Sequence, residues 1–256
     1  MNILVCLKQV PDTLEVKLRA DFTLERDYVA QVMNPADESA LEWALRVRDQ
    51  RGGRVTVLSM GPKRAESTLR EALSRGADEA VLLSDPRFAG ADTLVTAQCL
   101  TKAIETLGGF DLIACGRRAA DGETGQVGPM TASLLGIPCA VNLTRAEAGE
   151  QLTAWQLTEA EVKVWQCAYP ALITFCEWSY RLRRPNLLGL RKARSAQVRV
   201  MTPDDLGLSA SACGIKASPT RVIRVSAEES GVRPCHKGSV EEIMNALTAK
   251  CPEVFS

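Results

Sequence analysis

The chain has 256 residues, with 31 Lys and Arg against 31 Asp and Glu, so its formal net charge is zero. That balance excludes a general polyanion binder, which needs a basic excess to neutralise phosphates. With 46% hydrophobic and 24% charged residues, it reads as one large globular domain, or a domain with an extension, and not as a disordered chain.

Ile3-Leu4-Val5-Cys6-Leu7 is a short apolar run with the look of a buried parallel strand. It is too short for a signal peptide or a membrane span, and no longer apolar run follows, so a cytoplasmic protein without membrane insertion is expected. Asn34-Pro35-Ala36-Asp37 is a helix start: Asn suits the cap, Pro the first helical position and Asp the positive end of the dipole. Ala40, Leu41, Ala44, Leu45 and Val47 then give one apolar face ending before Gly52-Gly53. Arg54 to Met60 is a second strand, and Pro62 opens a second helix that stops at Gly76. Ala80 to Leu83 is a third strand, followed by a helix within Ala91 to Leu107. Asp111 to Cys115 is a fourth strand, and a fourth helix is expected from about Thr124 to Leu135.

This alternation predicts a doubly wound α/β fold, a parallel sheet with helices on both faces. Such sheets bind ligands beyond the C-terminal strand ends, where strand order reverses. The loops after Leu7, Met60 and Cys115 are therefore the candidates, together with the segment Gln31 to Asn34.

After Asn142 the pattern changes. Leu152 to Leu157 and Val162 to Cys167 read as a β-hairpin, and Ala171 to Cys176 as a further buried strand. A basic segment, Arg181 to Arg194, holds Leu187, Leu188 and Leu190, which are either core contacts or an anchor for a partner. From there to residue 240 no long period is visible. A last helix, from Ser239 to about Lys250, carries a capping-box start, Ser239-Val240-Glu241-Glu242. The expected division is a domain over 1–180 and an arm over 181–256, which has little core of its own and needs another surface.

The nine cysteines, 6, 99, 115, 139, 167, 176, 213, 235 and 251, contain no C-x-x-C pair and read as reduced small hydrophobes, so no metal site is expected. One histidine, His236, leaves no plausible base for a nucleophile, and no role is assigned to it. A cofactor holder without a catalytic centre of its own fits this absence.

The densest segment is Gly116-Arg117-Arg118-Ala119-Ala120-Asp121-Gly122-Glu123-Thr124-Gly125-Gln126-Val127-Gly128-Pro129. It follows a strand and opens a helix. Its glycines (Gly116, Gly122, Gly125, Gly128) allow close backbone approach to a ligand, and the helix start suits phosphate. The other reading is a tight crossover whose glycines only turn the chain, because the segment matches neither a dinucleotide fingerprint nor a P-loop. Asn34 and Asp37 reach the same edge, as ribose or base contacts or as simple caps. Met60-Gly61-Pro62 is either an adenine floor or a strand-to-helix turn.

These segments, with Met1 to Asp12, Ser59-Met60-Gly61-Pro62 and Arg75-Gly76-Ala77-Asp78, resemble in matching order the beta subunit of electron transfer flavoprotein, from residue 1 to about Thr220. The resemblance implies a heterodimer with an alpha subunit that carries the electron-exchanging FAD. It further implies electron carriage from a flavin dehydrogenase to an acceptor, and an adenine nucleotide in this subunit. That nucleotide is AMP in ordinary members and a second FAD in bifurcating ones. The matching positions are Cys6 through its backbone, Asn34, Asp37, Met60, Gly61 and the loop residues Gly116, Arg117, Arg118, Asp121, Gly122, Glu123, Thr124, Gln126 and Val127. Asp121-Gly122-Glu123-Thr124 followed by Gln126-Val127-Gly128 is similar to the bifurcating, FAD-holding variety. Arg118 is a departure, since the family often has Gln there. The family's partner-docking leucine falls nearest to Leu187, though its surroundings differ. The competing expectation is a stand-alone adenine-nucleotide-binding module similar to universal stress proteins. A nucleotide-using enzyme such as an ATP pyrophosphatase is a third.

Overall fold

The computed structural model describes residues 1–12, 30–220, 223, 235 and 237–254; His236 lies outside them. The chain divides into two compact units, Met1–Val222 and Ile223–Ser256.

Strand β1 (Asn2–Cys6) leads into an antiparallel ribbon of β2 (Gln9–Pro11) and β3 (Gln31–Met33). Then come α1 (Pro35–Arg51), β4 (Arg54–Met60), α2 (Glu66–Arg75), β5 (Glu79–Leu83), α3 (Thr93–Leu107), β6 (Leu112–Gly116) and α4 (Val127–Leu135). Four strands follow: β7 (Cys139–Ala148), β8 (Leu152–Leu157), β9 (Val162–Cys167) and β10 (Ala171–Phe175). The first unit ends with α5 (Leu187–Ser195), β11 (Arg199–Met201) and the short α6 (Gly214–Ala217); α7 (Val240–Lys250) belongs to the second.

The main sheet has nine strands in the order β11-β5-β4-β1-β6-β10-β7-β8-β9. All neighbours from β11 to β7 are parallel, and β8 and β9 are antiparallel additions. On one face α1 and α2 lay Leu41, Leu45, Leu69 and Leu73 on Ile3, Val5 and Val57. On the other, Leu100 and Ile104 of α3 and Ala132 of α4 cover Leu4, Leu58 and Ile113. Coverage of both faces is why the central strands read as continuous apolar runs. The expected doubly wound architecture and the β8–β9 hairpin are both present.

Several boundaries differ from the sequence expectation. A 3₁₀ turn at Lys63–Ala65 separates Pro62 from α2. Helix α4 starts at Val127 and not at Thr124, because Glu123 and Gly125 hold φ of 50° and 64°, left-handed values that a right-handed helix cannot include. The ten-residue β7 was not anticipated. The first compact unit also takes in α5, β11 and α6, beyond residue 180. Helix α5 docks beside α2, where Arg70 donates to Ala193 O at 2.6 Å and Lys192 to Ala77 O at 3.2 Å, and β11 adds an edge strand to β5.

This docking depends on Gly189. A Cβ there would lie 2.1 Å from Ser74 O. G189A is expected to push α5 off α2 and lower stability by about 2 kcal/mol, as overpacking does, which urea unfolding of the purified chain measures.

In the second unit, Ser239 caps α7 with the anticipated box: its hydroxyl accepts from the Glu242 amide and the Glu242 carboxylate accepts from Ser239 N at 2.8 Å.

Candidate functional site

The chain runs outward from β1 to β4 and β5, then returns to place β6 and β10 on the other side of β1. The reversal of strand order therefore falls between β1 and β6, and their C-terminal ends open a crevice there. Its walls are the turn after β1, the start of α1, the loop 117–126 and the turn after β10.

Asp37 ties these walls together. It is 5% exposed, and its two carboxylate oxygens accept from Lys8 N at 2.7 Å and Gly116 N at 2.8 Å. Burial pushes its pKa up to about 6, against the backbone hydrogen bonds and the nearby Lys8 charge, which pull it down. Asn34, also buried, does not cap α1 with its side chain. Its amide donates to Arg118 O at 2.9 Å and its oxygen accepts from Ala120 N at 3.1 Å. It thus pins the loop to the start of α1. Lys8 reaches Asp121 at 2.5 Å. Cys6 ends β1 in register with Leu58; burial, then Asp37, pushes its thiol up to about 12, so it stays protonated.

The glycines of the loop serve different ends. A Cβ on Gly116 would sit 2.4 Å from the Asp37 carboxylate, and one on Gly128 2.9 Å from the Thr174 methyl. Both are required by helix-to-strand packing. Gly122 faces open space and Gly125 makes the left-handed turn. The amides of Gly122 and Glu123 both bond to Ala119 O. Those of Thr124, Gly125 and Gln126 have no partner among the described residues, and they run straight into the N-terminus of α4. Successive free amides around left-handed residues form a concavity for an anion. The donor set therefore fits a phosphate-bearing ligand. The Gln126 side chain accepts from Thr93 at 3.3 Å, and Val127 packs against the second core cluster.

Arg117 and Arg118 are held by a residue that sequence reasoning missed. Glu177, just beyond β10, lies 2.7 Å from Arg117 Nε and 3.3 Å from Arg118 Nε. Burial would raise its pKa, but its own amide and the two guanidinium groups hold it below the usual carboxylate range. Arg118 is also 3.7 Å from Glu123. No local motif marks Glu177; only the pairing of β10 with β6, Phe175 opposite Gly116, brings it to the loop. Met60 ends β4 on the far side of β1, and Gly61 follows it. Met60 is half-buried against the second cluster, and the Gly61 amide bonds to Leu83 O at 3.0 Å. Leu187 does not join the crevice: it starts α5, beside the C-terminal end of α2, and is 80% exposed.

All nine cysteines are free thiols, and no cluster suited to a metal ion occurs among the described residues. Nor is any described helix long and apolar enough to cross a membrane.

These features define a doubly wound α/β protein with a polar, anion-suited crevice at the reversal of its strand order. The electron transfer flavoprotein domain profile matches residues 21–206. The chain is 44% identical over 229 residues to electron transfer flavoprotein subunit beta of Thermoanaerobacterium thermosaccharolyticum, covering 88% of each. It is 41% identical to Protein FixA of Azorhizobium caulinodans, covering 89% of this chain and 84% of that one. With the caffeyl-CoA reductase-Etf complex subunit CarD of Acetobacterium woodii it shares 38% identity, covering 99% and 98%. The chain belongs to the electron transfer flavoprotein family, among its beta subunits.

Proposed function

We propose that this chain pairs with an alpha subunit and carries electrons from a flavin dehydrogenase to an acceptor, holding an adenine nucleotide in its own crevice. The nucleotide is FAD, with AMP as the alternative. The observation that carries this reading is the run of amides at Thr124, Gly125 and Gln126 that have no partner among the described residues, at the strand-order reversal and at a helix start. They hold phosphate. Asp37 and Asn34 bring the walls of the crevice together at the ribose and base edge, Cys6 contributes backbone, and Met60 with Gly61 lies under the adenine. Bound flavin supplies the redox chemistry; the protein supplies position and electrostatics. On this reading the chain is a carrier subunit and not an enzyme by itself.

The need for a partner is supported by apolar surface without cover among the described residues. Val240, Met244 and Leu247 lie exposed along one side of α7, and Leu157, Val162, Val164 and Trp165 lie exposed on the β8–β9 hairpin. Residues of 181–256 that are not packed into the first unit dock on the alpha subunit, while Leu187 serves a redox partner.

The test is to co-purify the chain with its alpha partner, denature the complex, and quantify the nucleotides released. Two FAD and no AMP per heterodimer is expected. One FAD and one AMP would place AMP in this subunit and make the complex a single-flavin carrier. No complex and no flavin would overturn the carrier reading.

A further inference from the structure

Among the described residues, every cation on the rim of the crevice already has a carboxylate. Lys8 has Asp121 at 2.5 Å, Arg117 has Glu177 at 2.7 Å, and Arg118 has Glu177 at 3.3 Å and Glu123 at 3.7 Å. Among the described residues, three positive charges face three negative ones, and the buried Asp37 adds no positive charge. A phosphate arriving at this rim meets three cations that are already neutralised, so they give it little net Coulomb attraction.

Glu177 differs from the other two carboxylates. Asp121 and Glu123 belong to the loop itself, whereas Glu177 comes from the turn after β10 and reaches across to both arginines. Its side chain is 18% exposed, so it is partly desolvated and its hold on the guanidinium groups is less screened than that of a surface pair. The next residue, Trp178, has φ of 59° and is 85% exposed. A left-handed backbone at a bulky residue is strained and persists where the surroundings impose it. The turn that presents Glu177 is thus a strained one, and no packing of Trp178 compensates for it.

The geometry points to Glu177 as a built-in counter-ion that sets the crevice's specificity for phosphate: a phosphate-bearing adenine ligand takes its place on Arg117 and Arg118. The inference rests on the adenine-nucleotide reading above and adds a specificity residue to it. The consequence is graded. A ligand without phosphate does not contest the arginines and is indifferent to Glu177, whereas the resistance grows with the phosphate charge that must displace it. The free amides of Thr124, Gly125 and Gln126 offer a first foothold that involves no displacement.

The test uses the complex of this chain with its alpha subunit, freed of exchangeable nucleotide, as wild type and as E177Q, a variant that keeps the size and the hydrogen-bonding oxygen. Adenosine, AMP and ADP are titrated into each by calorimetry, at low and at high salt. With the carboxylate charge removed, ADP is expected to bind roughly tenfold tighter, the scale of one hydrogen bond to a charged group; AMP should gain less, and adenosine should be unchanged. The gain should shrink at high salt, because an unmasked cation is screened. Unchanged adenosine affinity also certifies that the variant's crevice is intact. Equal ADP affinity in the two proteins, or weaker ADP binding in E177Q with adenosine unchanged, would overturn the counter-ion role while leaving the nucleotide reading in place. A uniform loss across all three ligands would mark Glu177 as a structural support of the loop and also overturn it. Failure of all three to bind either protein would overturn the nucleotide reading itself, and the inference with it.

Discussion

Replacing Asp37 by Asn should lower stability by about 2 kcal/mol, the cost of leaving one buried donor unmet, and should loosen the crevice. Each Asp37 oxygen accepts from a different backbone amide, one after β1 and one at the end of β6. Asparagine has a single acceptor oxygen, so its NH₂ would face one of those N–H groups. The penalty should also depend on pH in a defined direction. In the native state Asp37 titrates at about 6, above the roughly 3.9 of an unfolded aspartate. Between those values the folded protein keeps a proton that the unfolded chain releases, so the stabilisation from this group is present at the acidic end and is lost as pH rises through 6. Urea unfolding at pH 5 and pH 7.5 should therefore show D37N losing more against wild type at pH 5, by about 1 kcal/mol. A difference that grows towards pH 7.5 would contradict the assignment.

The largest stability loss is expected from Trp43→Ala. Trp43 lies on the α1 face turned to the sheet and is 2% exposed. Its ring centroid is 5.3 Å from that of Phe175 on β10, whose other neighbour, Tyr180, stands edge-on at 5.4 Å. The indole N–H donates to Ala146 O on β7 at 2.9 Å. One side chain thus joins α1 to the half of the sheet that lies past the strand-order reversal. Truncation should cost about 4 kcal/mol, the range for removing a buried large aromatic. Trp43→Phe keeps most of the packing and loses the hydrogen bond, so about 1–2 kcal/mol is expected for it. Thermal or urea unfolding of the two variants separates packing from hydrogen bonding.

What could be read from the sequence was local. Strands β1, β4, β5 and β6 are continuous apolar runs because helices cover both their faces, and Gly52, Gly76, Gly108 and Gly136 mark the helix ends where they were expected. Strand β7 went unread because its burial alternates irregularly and Asn142 sits at φ 55°, breaking the period. Strand β11 has three residues, of which only Met201 is buried, too little for any pattern. Helix α5 was obscured by Pro185 and Gly189, the second of which is there for the close approach to Ser74. The position of the crevice followed from strand alternation alone. Its internal wiring did not, since Asn34 looks like a helix cap and acts on residues more than 80 positions away. Glu177 looks like any loop glutamate until β10 is seen to insert beside β6.

The central place of β1 has a consequence for how the chain is made. Its residues 2–6 are synthesised well before either neighbour, because β4 begins at Arg54 and β6 at Leu112. The strand on which both halves of the sheet are wound cannot be flanked on its two edges until more than a hundred further residues have been synthesised. Sequence-distant parallel pairing of this kind is slow to form and leaves apolar edges open meanwhile. The nascent chain therefore carries a strand from the interior of its sheet with one edge open until β6 arrives, and that strand is the one that leads into the crevice.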